Sequence, residues 1–264
     1  MVHGNDYANN DLVAFSEDLL LLQRLGWRVV PLDWVIQTLL KCAHYDLSRC
    51  VVLTCDDGVD FDYWDLDHPQ HGPQKSFYNR LQDVQRHNVG MGFGQLELSA
   101  FVIASPMARQ TICQKGLGGL NWMSEDWWAS AQKSGLMRIQ NHSWDHNHEM
   151  LEDYAVDQMK RGDFFQTNNS IRAEYQILKA KHYLDEFIQP HRTNAFAYPY
   201  GHVPTYLSDE WFPAHGVQAG IEMALGCGGE PVTAASSRWN MPRYVCGDHW
   251  KSPGDLERIL RDLI

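Results

Sequence analysis

Three short segments carry side chains whose types and spacing suit metal-assisted hydrolysis. The first is Thr54-Cys55-Asp56-Asp57-Gly58, two adjacent carboxylates at the end of an apolar run. Neighbouring strand residues point to opposite sides, so one carboxylate can bind a cation while the other, after a turn that Gly58 permits, faces a substrate. Standing alone, Asp-Asp-Gly is more often a solvated turn than a site. The second is Asn141-His142-Ser143-Trp144-Asp145-His146, with His148 two positions on. Imidazoles four residues apart on one turn reach a single ion, although among 13 histidines a chance pairing competes with that reading. Joined to a carboxylate from another strand end, the pair makes an Asp/His/His set with positions left open for water and substrate, which suits catalysis rather than structure. The third is Phe196-Ala197-Tyr198-Pro199-Tyr200-Gly201. Its rigid Pro-Tyr turn can present a backbone N–H and an aromatic wall to a reacting carbonyl, or serve simply as a strand end.

The elements that must position these segments alternate along the chain. Residues 12–25 place Leu12, Phe15, Leu19, Leu22 and Leu25 at helical spacing, with Gly26 as the stop. A strand follows at 27–32, then a helix through Leu40 with Asp33 as its N-cap, and a continuous apolar strand at 50–54. Further on, helices are expected at 76–86 and at 124–134, the latter capped by Ser124 and stopped by Gly135. Strands are expected at 98–104, at 136–140 directly ahead of His142, and at 195–198. A helical pattern covers 151–186 and a short helix 208–214. Such alternation predicts an α/β fold with a mainly parallel sheet, whose strand ends are where ligands are met. Between Asp60 and Pro73 the chain sets Asp60, Asp62, Asp65 and Asp67 among Phe61, Tyr63, Trp64 and His68. The acids lack calcium-loop spacing, and the stretch is expected either to wall a substrate cleft or to pack as ordinary surface.

Composition narrows the function further. The 264 residues hold 22 basic and 33 acidic side chains, a formal charge of −11 that offers no general attraction to phosphate backbones or anionic lipid. One domain over residues 1–264 is expected at this length. No apolar run approaches the roughly 20 residues of a spanning helix. The first residues lack the basic and apolar regions of a secretory signal, which makes the cytosol the expected compartment. Six cysteines without a CxxC pair read as reduced, mostly buried thiols. The glycine-rich stretches at 90–94 and 226–229 lack a following Lys-Ser/Thr and read as loops.

Taken in order, the three segments resemble the first three motifs of the polysaccharide deacetylases (NodB homology domain, carbohydrate esterase family 4). The likeness spans nearly the whole chain, from the helix at 12–25 through Trp122-Met123-Ser124-Glu125 to Met241-Pro242-Arg243-Tyr244-Val245. It implies a distorted (β/α)7 barrel holding one divalent ion, usually zinc and otherwise cobalt, nickel or iron. It assigns Asp57, His142 and His146 as metal ligands and Asp56 as the base that takes a proton from the attacking water. The backbone N–H of Tyr200, presented by Pro199, would share the oxyanion with the metal. Two departures stand out. Ala197 occupies the place where an arginine usually orients the catalytic aspartate, and Arg243 is the candidate to supply that group from another strand. The late acid histidine has no clear counterpart; His249 is the nearest candidate and His202 competes. A structural ion pair and a surface histidine are the plain alternatives for Arg243 and His249.

The resulting expectation is a metal-dependent hydrolase that removes N-acetyl groups from amino-sugar units of a polysaccharide or oligosaccharide. A cytosolic amidohydrolase acting on a small non-sugar amide and a catalytically inactive carbohydrate-binding barrel are the alternatives. A cysteine hydrolase built on Cys55 lacks a histidine placed as its base. The expected partner is thus a carbohydrate or small amide rather than nucleic acid or a membrane.

Overall fold

The computed structural model describes residues 1–3, 11–69, 72–87, 94–152 and 160–263. Six short strands form one all-parallel sheet: β1 (Val2–His3), β2 (Leu53–Cys55), β3 (Leu98–Val102), β4 (Met137–Asn141), β5 (Ala195–Ala197) and β6 (Met223–Leu225). They lie side by side in chain order. Every residue of β2, β3, β5 and β6 is buried, as expected for a parallel sheet covered on both faces.

The two edges are joined by residues 241–246. Met241 N–H donates to Ala224 O and Gly226 N–H to Met241 O, both at 2.8 Å, on the β6 side. On the β1 side Val2 N–H donates to Tyr244 O at 2.8 Å and Cys246 N–H to Val2 O at 3.0 Å. Both bridges, Leu225 with Met241 and Val2 with Val245, are parallel. This segment is the seventh member of the ring, and the fold is the expected distorted (β/α)7 barrel. Closure matters for the chemistry because it brings Arg243 to the mouth formed by the other strands.

Helices cover the outside. Asp11–Arg24, Phe77–His87, Trp128–Ser134 and Pro253–Asp262 contribute Phe15, Leu22, Phe77, Leu81, Trp128, Leu256 and Leu260 to one apolar layer over β2, β3 and β4. A second layer of Phe164, Ile177, Phe196, Leu207, Trp211 and Phe212 lies on the β5 flank. Among the described residues no helix is long and apolar enough to cross a membrane.

Several local expectations need correcting. The apolar run at 50–54 is broken at Val52: Cys50–Val51 pairs with Arg28–Val29 in a separate two-stranded sheet, and only Leu53–Cys55 enters the barrel. Asp33 does not cap Leu32–Leu39; its carboxylate accepts from Asn194 Nδ2 at 3.2 Å. Ser124 does not cap the helix at Trp128–Ser134 because its amide and hydroxyl donate to Asp60 instead, at 2.8 and 2.9 Å. Of the helical pattern at 151–186, residues 153–159 lie outside the described residues; among the described ones a short 3-10 turn covers Phe164–Gln166 and α-helix starts at Ser170, where Asn169 Oδ1 accepts from Arg172 N–H at 3.0 Å. Most of the glycine-rich stretch at 90–94 does too. The aromatic stretch after Asp60 packs largely inward: Phe61 is buried, Tyr63 stacks on Tyr78 and Trp127, and Asp65 accepts from Ser76 N–H. Trp64 remains exposed. All six cysteines are free, but only Cys55 and Cys113 are buried. The helix Pro106–Lys115, strand β6 and the helix Pro253–Asp262 had no expectation at all.

Candidate active site

The three motif segments emerge at the same end of the barrel, directly after β2, β4 and β5. Their backbones are unusual. Of the seven described non-glycine residues with positive φ, four belong to these segments, Asp57, Ser143, His146 and Tyr200, and a fifth, Asn147, directly follows the second. Asp and Asn tolerate this conformation, but Ser, His and Tyr adopt it where surrounding contacts enforce it, and such residues gather at functional sites. At Gly58 (φ +77°) any Cβ would lie 2.5 Å from Val102 Cγ1, so the turn that presents Asp57 requires glycine.

The His142–Asn147 turn is held by a set of side-chain bonds. Asn141 Oδ1 accepts from Ser143 N–H, Ser143 Oγ from His146 N–H, and Asp145 Oδ1 from Asn147 N–H, all between 2.8 and 2.9 Å. Asp145 also accepts from Gln176 Nε2 at 2.6 Å and pairs with Arg161 at 3.0 Å. Gln176 sits in the π-helical turn Glu174–Leu178, which interrupts the helix so that its amide and carbonyl both meet this segment: Trp144 N–H donates to Gln176 O at 2.7 Å.

Within that frame one ligand atom each from Asp57, His142 and His146 lies within 4.8 Å of the others. His142 Nδ1 is 2.9 Å from Ala197 O. A carbonyl only accepts, so Nδ1 carries the proton and Nε2 turns its lone pair towards Asp57 Oδ1, 3.6 Å away. His146 Nε2 lies 3.5 Å from the same oxygen. These separations are too long for hydrogen bonds and leave the donor atoms converging without shared protons. Burial, reinforced by neighbouring His142, His148 and His202, pushes the His146 imidazole well below its ordinary pKa, so it stays neutral as a ligand must. The donor set fits one divalent ion, with Asp57 the exposed member and both imidazoles buried.

Asp56 faces a different partner. Arg243 grips it bidentately, Nη1 to Oδ1 and Nη2 to Oδ2 at 2.8 Å each. The guanidinium is nearly inaccessible and also donates to Gly226 O and Thr54 Oγ1. Desolvation alone would raise the Asp56 carboxyl, but Arg243 and then His142 outweigh it and hold the group below its ordinary pKa. Arg243 is raised in turn because the pull of Asp56 exceeds the cost of its burial.

Pro199 is buried, and Tyr200 follows it in left-handed backbone (φ +58°), its ring 4.3 Å from that of His146. Burial raises its phenol to about 12, so the hydroxyl stays protonated. His249 is not joined to this group. Its Nδ1 accepts from Val245 N–H at 2.9 Å and its ring fills the space beside Gly229, 5.9 Å from the Tyr244 ring. Among the described residues no hydrogen bond, ion pair or ring contact links His249 to Asp56, Asp57, His142 or His146. His202 lies beside Tyr200, 3.7 Å from Asp163 and stacked on Phe165. Sequence reasoning missed the supporting set of Asn147, Arg161, Asp163 and Gln176, since polar residues scattered over thirty positions carry no local pattern.

The polysaccharide deacetylase family model matches residues 46–211, a span that contains all three motif segments and stops short of Arg243. Curated proteins give no match. Among solved structures, the Streptococcus pyogenes deacetylase PplD in complex with acetate superposes with a TM-score of 0.60 at 16% identity, covering 94% of this chain and 86% of that one. IcaB from Ammonifex degensii gives 0.56 at 19%, covering 95% and 89%. A de-N-acetylase from Aggregatibacter actinomycetemcomitans gives 0.57 at 12%, covering 93% and 86%. At these identities the structural likeness is one of fold. The family match, extending over more than half of the sequence and all three motifs, shows that the chain belongs to the polysaccharide deacetylase family.

Proposed function

We propose that this protein hydrolyses the N-acetyl groups of amino-sugar units in a polysaccharide or oligosaccharide, with a divalent ion, zinc in the first instance, held by Asp57, His142 and His146. The observation that carries the reading is the convergence of one atom from each of those residues beside an aspartate already locked by arginine. The family membership supports the substrate class.

Each residue has a task set by its surroundings. A divalent ion bound here supplies Lewis-acid polarisation of the amide carbonyl and makes water a better nucleophile near neutral pH. Asp56 is the base: Arg243 keeps it ionised and fixes both oxygens, so the carboxylate cannot swing out of line. In this role Arg243 stands in for the arginine that Ala197 does not provide. The Tyr200 N–H, oriented by Pro199 and by the left-handed backbone, is assigned to the developing oxyanion. The Tyr200 phenol, protonated and half-exposed, closes one side of the mouth. The products are acetate and a free amine.

The deciding experiment pairs elemental analysis of wild type and His142→Ala with acetate release from N-acetylglucosamine oligomers. One equivalent of metal, lost in the variant, together with acetate release sensitive to chelation is the expected result. Stoichiometric metal without acetate release from any oligomer would reject the substrate class. Full activity after thorough chelation would reject the metal.

A further inference from the structure

We propose that Phe165, backed by His202, is a stacking platform for a sugar residue adjacent to the one being deacetylated, so that the protein prefers chains to single amino sugars. The inference rests on the reading above for the class of substrate. It deepens that reading by naming a subsite and a preference for length.

Half of the Phe165 surface is accessible. One of its faces is covered by His202, with centroids 4.6 Å apart and planes 17° from parallel. The accessible half is therefore the opposite face and the rim. A pyranose presents a face of C–H groups that matches such a ring, while its hydroxyls seek polar neighbours. Those neighbours are present in Asp163 and His202.

The platform is also built to stay in place. Asp163 Oδ1 accepts from Phe165 N–H at 3.0 Å and so fixes the Phe165 backbone; the same oxygen lies 3.7 Å from His202 Nδ1, beside the stack but beyond hydrogen-bond distance. Asn147, immediately after the ligand His146, ties this turn to the metal centre. Its Nδ2 donates to Lys160 O and Asp163 O at 2.8 and 2.9 Å, and its carbonyl accepts from Gly162 N–H at 2.8 Å. Ring contacts continue from His202 to Tyr200 at 5.4 Å and from Tyr200 to His146 at 4.3 Å. An accessible aromatic ring bonded through one asparagine to the ligand turn is placed for a substrate that extends beyond the reacting unit.

The test compares wild type, Phe165→Ala and Phe165→Trp on N-acetylglucosamine and its oligomers of increasing length. It also measures binding of the longest oligomer to the chelated proteins by calorimetry, and thermal midpoints to confirm that the exposed substitution leaves the fold intact. Removing one stacked ring is expected to raise KM for long oligomers about five- to tenfold. The value of kcat on those oligomers and kcat/KM on the monosaccharide stay unchanged, the calorimetric Kd weakens by the same factor, and tryptophan restores both. Equal KM for wild type and Phe165→Ala at every length would overturn the subsite while leaving the deacetylase reading intact. A wild type that binds the oligomer in a Phe165-dependent way yet releases no acetate would keep the subsite and reject the deacetylase reading. Absence of oligomer binding to wild type would overturn the subsite.

Discussion

Replacing Arg243 by methionine tests the central pairing of the site. In the folded protein the guanidinium side chain is 3% exposed and its fork bonds both oxygens of Asp56, whose side chain is 20% exposed. Methionine preserves much of the volume and strands the carboxylate. Breaking a buried, hydrogen-bonded ion pair from one side costs about 3–5 kcal/mol, and the residual solvent at Asp56 argues for the lower end, about 3 kcal/mol. Asp56→Asn strands the guanidinium instead, although Gly226 O and Thr54 Oγ1 still accept from it, and about 2 kcal/mol is expected. The double variant leaves neither charge unpaired, so its cost should fall short of the sum of the singles by about 2 kcal/mol. Urea denaturation of the four proteins in chelator, at pH 7, reads the coupling directly. A coupling below about 0.5 kcal/mol would refute the argument that these two groups stabilise one another. The sign with pH follows from the depressed Asp56 pKa. The advantage of wild type over Arg243→Met is present above the unfolded aspartate pKa and shrinks as pH falls through the lower folded value. Arg243→Lys keeps the charge without the fork; kcat is expected to drop more than tenfold while most of the stability remains.

Glu97 is buried with Oε1 unbonded, and its carboxyl is pushed up to about 7 by burial, which the opposing pull of Arg138 does not offset. Because the folded protein holds this proton up to about pH 7, stability declines as pH rises from the unfolded glutamate value to that point. Glu97→Gln should therefore gain up to about 3 kcal/mol over wild type above pH 7 and converge with it near pH 4–5; a difference independent of pH in denaturation series would contradict this. Gly58→Ala meets both the Val102 side chain and a left-handed backbone, and about 2–4 kcal/mol of stability is expected to be lost along with activity. A fully active, equally stable alanine variant would show that the Asp57 turn is not sterically fixed. Asn147→Ala removes the bonds to Lys160 and Asp163 and an unstrained choice for φ +45°, for an expected loss of about 2–3 kcal/mol and faster amide exchange over residues 160–163. Unchanged exchange there would mean that the turn is held by other contacts.

The parts of the fold that were legible share one property, namely that their signal is local. The helix Asp11–Arg24, strands β3 to β5 and the stop at Gly135 follow from periodicity and capping within a dozen residues. The failures share the opposite property. Ser124 and Asp33 have the right chemistry for caps, yet their polar groups are drawn to Asp60 and Asn194, partners 64 and 161 positions away. The aromatics after Asp60 have the composition of an exposed sugar wall, and Tyr63 is taken inward by stacking on Trp127, again remote in sequence. Tertiary packing overrides local preference wherever a buried partner offers more than a cap or a solvated ring does.

For the site, residue types and spacing within each motif were enough to join His142 and His146 to one carboxylate of the Asp56-Asp57 pair, because one tight turn after a strand constrains where its side chains can reach; the choice of Asp57 came from the family resemblance, and the structure brings one atom of each of Asp57, His142 and His146 within 4.8 Å of the others. Nothing local could say that Arg243 reaches Asp56, 187 positions away, since that depends on residues 241–246 hydrogen-bonding to both β1 and β6. Nor could it separate His249 from His202. His249 stands beside Asp248 and His202 directly follows Tyr200-Gly201 in the sequence, and only the closed ring sets one against Gly229 and the other beside Tyr200. Sequence by itself thus determined the chemistry available at each strand end, which is a property of a few bonded neighbours. Tertiary structure alone decided which strand ends face one another, because barrel closure is a sum of hydrogen bonds and buried contacts spread over the whole chain.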